Sequence, residues 1–295
     1  MQLSRSLIPG SAGAVLTCCH TAIDPRRPSV LIALPFGVPC DVTRPALEAF
    51  GATRNVVTWE SRYILQLDQA FAGSEPVAPD NHVEDMLCLL RALRISCCCL
   101  IGYCSGAGIS LLAATRHPAA FSELILVNGE YQLFKHGHPS TDYQRSIDSF
   151  LPIVATGRDQ AQLIFKTMAE ISKASKSAAP SELEVQINLP FSTEESLFRC
   201  ARNYMAYRDF DALALARQVR LRTLVVMGRQ DVHSGTAASE AVADAIPGSR
   251  RWVDDGGDHY AFCRAGSPTL AAIMTQLASH APDVASASAT VVAAP

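Results

Sequence analysis

Gly102-Tyr103-Cys104-Ser105-Gly106 places a sulfur nucleophile between two glycines, each two residues away. The stretch before it, Cys97 to Tyr103, reads as a buried strand. Ala107 to His117 after it reads as a helix stopped by Pro118. A side chain at the apex of such a strand–turn–helix is pushed outward on a strained backbone, and the positions two before and two after it are crowded enough to need glycine. That framing selects Cys104 over Ser105, whose neighbours at the same offsets are Tyr103 and Ala107. Ser105 is left to offer a backbone N–H. The pattern is the nucleophile elbow G-x-S-x-G with Cys in the serine position. A helix N-terminus there is expected to lower the Cys104 thiol pKa. The bland alternative is a buried thiol in a glycine-rich turn.

A cysteine nucleophile needs a base, and the base needs an orienting acid. Leu224 to Asp231 (LVVMGRQD) is a strand ending in a turn that delivers Asp231. Asp254 to His259 (DDGGDH) follows a short strand and delivers His259. Of the other histidines, His20, His117 and His280 read as strand, helix-end and surface residues. His136 and His138 could reach a substrate. Asp254, Asp255 and Asp258 read as surface or turn residues. Glu60 and Arg62, after the strand NVVTW, read as a surface ion pair.

Positioning these residues requires a sheet. Apolar runs of strand length at Val30–Leu34, Asn55–Trp59, Cys97–Tyr103, Glu123–Asn128 and Arg222–Met227 alternate with helical patterns. One such helix opens at Asn81, with Glu84 at the capping-box spacing. Near-continuous apolar strands between helices signal a parallel α/β sheet. A short strand at Arg250–Val253 and helices at Gly235–Ala245 and Pro268–His280 complete the core. The alternation breaks after Glu130, where helices are expected at Ala161–Ala174 and Glu194–Ala216. The domain reading is therefore a core of residues 1–130 and 217–282, a helical cap over 131–216, and a loose tail over 283–295.

The order nucleophile, acid, histidine resembles that of the α/β-hydrolase superfamily over roughly residues 14 to 282, carried by GYCSGA, VVMGRQDVHS and GGDHY. The resemblance implies the α/β-hydrolase fold with a helical cap, and a Cys104–His259–Asp231 triad. It also implies an oxyanion hole made by the N–H of Ser105 and one from the loop Leu34-Pro35-Phe36-Gly37, at Phe36 or Gly37. The histidine usual in that loop is absent. The cysteine elbow is similar to that of capped thioesterase-like and cyclase-like hydrolases of polyketide and peptide assembly lines, and more distantly of dienelactone hydrolases. In some of those cyclases the acid follows the strand after the elbow helix, which makes Glu130 the alternative acid. Cysteine tells against haloperoxidase and dehalogenase relatives.

Composition narrows the rest. The chain has 295 residues, 48% hydrophobic and 18% charged, with a formal net charge of −3, so it can bury a large core and has no basic face for nucleic acid. Ten cysteines without a C-x-x-C pair or an apolar leader read as mostly buried thiols in a reducing cytoplasm. The uncharged run Ile95–Thr115 is long enough to span a bilayer, but its glycines read better as strand, turn and helix. The expected function is a thioesterase-like hydrolase working through an acyl-Cys intermediate on an acyl thioester, carried by an acyl or peptidyl carrier protein or by coenzyme A. An acyltransferase, or a Dieckmann-type or lactonising cyclase, is the alternative, and a non-catalytic binding module the third. No metal or organic cofactor is expected, nor any nucleic-acid or membrane partner.

Overall fold

The computed structural model describes residues 3–174 and 181–279. Its eight strands form one sheet: β1 (Leu3–Pro9), β2 (Val15–Thr21), β3 (Ser29–Ala33), β4 (Asn55–Trp59), β5 (Cys98–Tyr103), β6 (Phe121–Val127), β7 (Thr223–Gly228) and β8 (Arg250–Asp254). The spatial order is β1-β2-β4-β3-β5-β6-β7-β8. Strand β2 is antiparallel to both neighbours, and every other pair is parallel. Strands β4, β5 and β7 are buried at every residue, as parallel strands covered on both faces must be.

Side chains alternate between two apolar layers. Val30, Ile32, Ile101 and Val226 meet α1 (Arg44–Gly51) and α10 (Pro268–Ala278). Leu31, Leu100, Leu126 and Val225 meet α2 (Pro79–Ala92), α3 (Ser105–Arg116) and α9 (Thr236–Ala245). Between β6 and β7 the chain forms α4 (Asp142–Val154), α5 (Arg158–Ala174), α6 (Glu182–Ile187), α7 (Glu194–Arg208) and α8 (Ala212–Ala216). Helix α7 packs on both α4 and α5.

Several elements differ from the pattern-based expectation. The hairpin β1–β2 has no counterpart in it, because edge strand β1 buries only Ile8 and carries no apolar run. Helix α2 begins at Pro79, whose fixed φ suits a first turn, and Asn81 caps nothing. The helix expected over 194–216 breaks at Asp209–Asp211 into α7 and α8, the Asp211 side chain capping α8. Helices α4 and α6 are additional; α4 carries Pro152 and a largely exposed surface that blur its periodicity. The expected tail, 283–295, lies outside the described residues. Ile95–Thr115 divides into β5, a turn and α3, and among the described residues no helix is long and apolar enough to cross a membrane.

Two side-chain expectations are corrected. Glu60 and Arg62 are buried and do not pair with each other. Arg62 is clamped by Asp85, at 2.8 Å and 2.5 Å, and Glu60 by Arg5 at 2.5 Å. Most cysteines are buried, but Cys97 is exposed, and Cys88 and Cys104 are half-buried. Cys97 precedes β5 rather than opening it, so its side chain escapes the layer that covers Cys98 and Cys99.

Candidate active site

Cys104 leaves β5 and serves as the N-cap of α3, with φ 53° and ψ −123°. The left-handed φ is costly for a side-chain-bearing residue and is held by its surroundings. The Cys104 N–H donates to the carbonyl of Val127 at 3.1 Å, and its own carbonyl accepts from Ala107 at 3.0 Å and Glu130 at 3.1 Å. A Cβ on Gly102 would lie 2.6 Å from Cα of Ala107, and one on Gly106 would lie 2.3 Å from the carbonyl oxygen of Ala33. Both approaches are impossible, so the two glycines let α3 fold back against β5 and β3.

Asp231 follows β7 and His259 follows β8, at the same carboxyl edge of the sheet as Cys104. Oδ2 of Asp231 lies 2.9 Å from Nδ1 of His259. Oδ1 accepts from the N–H groups of His233 at 2.8 Å and Ser234 at 3.0 Å. The carboxylate is thus buried with its lone pairs satisfied, and His259 keeps Nε2 for another partner. The two loops cross at Gly228, where an added Cβ would lie 2.3 Å from the carbonyl oxygen of Gly257.

Asn128, at the end of β6 with φ 44°, ties the loops together. Its Nδ2 donates to the carbonyls of Asp258 and His259, each at 3.0 Å, and its Oδ1 accepts from the N–H of Gly228 at 2.8 Å. The Tyr103 hydroxyl donates to the same His259 carbonyl at 3.0 Å. Sequence patterning does not reveal Asn128; its signal is an amide residue at the end of a central strand.

A cavity of about 100 Å³ opens over these residues, lined by Cys104, Ser105, Phe36, His259, His233 and Glu130. Its remaining walls include Ile147 and Leu151 of α4, Phe191, and Cys200 and Tyr204 of α7. Burial pushes the Cys104 thiol well above its ordinary range, and the Glu130 and Asp231 carboxylates push it further, against the Ser105 N–H. Desolvation thus opposes the lowering expected from the helix N-terminus, which is represented here by the Ser105 N–H. Burial also raises the Glu130 carboxyl to about 7, opposed by its hydrogen bond from Gln132. Glu130 makes no hydrogen bond to His259; the histidine's acidic partner is Asp231.

The oxyanion-loop candidates separate. Phe36 lines the cavity, and its N–H donates to Ser105 Oγ at 3.1 Å. The Gly37 N–H is directed to Ser61 Oγ at 3.4 Å, and Gly37 does not line the cavity. Both N–H groups are therefore engaged by hydroxyls in the resting site, and of the two residues only Phe36 lines the cavity.

His233, two residues after Asp231, is the neighbour that sequence reasoning missed. Its ring centroid lies 4.9 Å from that of His259, and its Nε2 lies 3.1 Å from the Tyr260 hydroxyl. Burial lowers its pKa to about 4, so it is neutral at physiological pH. Donor atoms of Asp231, His233 and His259 converge within 4.8 Å, close enough to hold a metal ion, but the Asp231–His259 hydrogen bond engages one atom of each of those two. His136 instead meets Asp211 at 3.1 Å, and His138 lies in a surface groove beside Arg217; neither lines the cavity. Asp254 is buried against Thr269, whereas Asp255 and Asp258 pair with Arg229 and Arg264.

Residues 61–264 match the alpha/beta hydrolase fold family, and the chain belongs to that family, as one of its enzymes. It is 27% identical over 260 residues to an L-allo-isoleucyltransferase of Pseudomonas savastanoi pv. glycinea, across 85% of this chain and 87% of the relative. An esterase from Exiguobacterium antarcticum, EaEST, has TM-score 0.72 and 16% identity, over 93% of this chain and 100% of that one. The enol-lactonase of Burkholderia xenovorans LB400 has TM-score 0.70 and 16% identity over the same shares. At such identities the structural likeness is one of fold.

Proposed function

We propose that the protein is an acyltransferase that moves an acyl group from a thioester donor to an acceptor through an acyl-Cys104 intermediate. Sγ of Cys104 attacks the donor carbonyl while Nε2 of His259 takes the thiol proton. The tetrahedral intermediate collapses, the donor sulfur leaves, and His259 returns the proton to it. The acceptor reverses these steps. Asp231 holds Nδ1–H of His259, the tautomer that makes Nε2 the base. The oxyanion would be held by the N–H of Ser105 and by that of Phe36, which must first leave the Ser105 hydroxyl it donates to in the resting site. Helices α4 to α8 act as the cap that limits water, and the donor thiol belongs to a carrier protein or to coenzyme A.

The observation that carries the reading is a cysteine at the elbow of a cavity that also holds His259. A raised thiol pKa is compatible with it, because the proton leaves to His259 as the bond forms rather than beforehand. The transferase relative supports transfer over the hydrolysis placed first on sequence grounds. Hydrolysis keeps the same intermediate with water as acceptor, and family membership favours it as the second reading. The cyclase reading based on Glu130 as acid loses support, since His259 bonds to Asp231.

Incubation with a small acyl thioester should add one acyl mass, mapped to Cys104, in the wild type and none in Cys104→Ala. Turnover by a folded Cys104→Ala would overturn the reading. Free thiol acceptors should then remove the acyl group faster than water does.

A further inference from the structure

We infer that Glu130 selects the acyl group: its carboxylate faces the cavity beside Cys104 and takes a primary ammonium on the carbon next to the reacting carbonyl. The inference rests on the acyl-Cys104 reading and adds a substrate feature to it.

Glu130 is the one carboxylate among the residues lining the cavity. Its backbone is fixed to the nucleophile, because Glu130 N–H donates to the Cys104 carbonyl at 3.1 Å, and its own carbonyl accepts from the Tyr207 hydroxyl at 2.5 Å. Oε1 accepts from Nε2 of Gln132, which also donates to the Tyr204 hydroxyl at 3.0 Å. That hydroxyl in turn donates to Asp148 at 3.0 Å. The chain of contacts aims the carboxylate. Oε2 has no hydrogen-bond partner among the described residues, and no arginine or lysine lines the cavity. Glu130 is half-buried, and its second oxygen is left open at the cavity, where a cationic group on a ligand would supply both the missing hydrogen bond and the counter-charge.

The facing walls are aliphatic and aromatic, including Ile147, Leu151 and Phe191. A carboxylate beside the nucleophile and an apolar wall beyond it match a small acyl group with an ammonium at its α-carbon and a hydrocarbon side chain. Pairing with the ammonium would have a second effect. Glu130 opposes ionisation of the Cys104 thiol more than any other charged neighbour does. Neutralising it on binding would ease departure of the thiol proton only when the ammonium is in place.

The test compares three N-acetylcysteamine thioesters on the full chain: L-valyl, its des-amino isostere 3-methylbutanoyl, and N-formyl-L-valyl. The readout is the rate of acyl mass appearing on Cys104. The wild type should load valyl on the order of 100-fold faster than either analogue, since a site built for a polar group strongly rejects ligands lacking it. In Glu130→Gln the valyl to 3-methylbutanoyl ratio should fall to within about threefold of unity. Equal loading of all three by the wild type would overturn the ammonium site and leave the acyl-Cys104 reading intact. A wild-type preference retained by Glu130→Gln would overturn the assignment to Glu130. Failure of every thioester to load would remove the underlying reading itself. The wild-type comparison does not depend on the variant's folding.

Discussion

Nδ2 of Asn128 holds the carbonyl oxygen of His259 at 3.0 Å, so the end of β6 fixes a residue delivered by β8. The same side chain reaches the N–H of Gly228 at the end of β7. One amide therefore sets the spacing between the Asp231 loop and the His259 loop. Asn128→Ala should cost about 2–4 kcal/mol, because it strands a buried N–H and buried carbonyls and places alanine at a left-handed φ. Where the variant remains folded, acylation should still fall by roughly 100-fold through displacement of the base. Urea unfolding and single-turnover loading at one low temperature measure the two losses separately. A stability loss with unchanged loading would show that the clamp does not position His259.

Asp231→Asn tests the acid. The amide oxygen would keep the two backbone donors, turning the amide NH₂ toward Nδ1 of His259. That forces the proton to Nε2, the wrong tautomer for a base. The corresponding change in a serine triad costs roughly 10⁴-fold, and a loss of at least about 100-fold is expected with the more nucleophilic sulfur. Loading of aminoacyl and des-amino thioesters should fall together, leaving their ratio near that of the wild type. A selective loss of one would mean that Asp231 acts on the acyl group rather than through His259.

The residues with a backbone reason to exist were legible in the sequence. Gly102 and Gly106 advertise the elbow because no Cβ fits there, and Asp231 and His259 sit just past apolar strands. Residues whose placement depends on pairing across the chain were not legible. Glu60 and Arg62 look like neighbours on a surface, but burial sends Arg62 to Asp85 and Glu60 to Arg5. His233 carries no pattern of its own and enters the cavity only through the turn after Asp231. The thiol shift of Cys104 also escapes sequence reasoning, because desolvation depends on the walls that α4 and α7 bring to it.

That shift sets an order of thiol reactivity. The thiolate fraction at a given pH falls as the pKa rises, so resting Cys104 should react slowly with iodoacetamide below pH 8. Exposed Cys97 should label first, and Cys104 should gain on it as pH increases. Peptide mapping of a labelling time course at pH 6.5 and 9 reads both. Fastest labelling of Cys104 at pH 6.5 would instead indicate a preformed thiolate–imidazolium pair with His259.

Cys104→Ser asks why sulfur occupies the elbow. A hydrolase gains little from cysteine, since serine forms an ester that water removes readily. An acyl-Cys is itself a thioester, so forming it from a thioester donor is nearly neutral in free energy. It reacts poorly with water and well with thiols, amines and enolates, and the apolar walls that α4 and α7 give the cavity would help to limit water during the wait for an acceptor. Cys104→Ser should therefore form an oxyester that transfers poorly, and its products should move toward free acid or stalled acyl-enzyme. The measurement is the ratio of transferred product to free acid for both proteins, with thiol and amine acceptors supplied. A ratio at least about tenfold higher in the wild type is expected, the intrinsic difference in nucleophile and leaving group being of that order or larger. If the wild type gives only free acid with every acceptor, and Cys104→Ser does the same, transfer is wrong and hydrolysis through acyl-Cys104 takes its place.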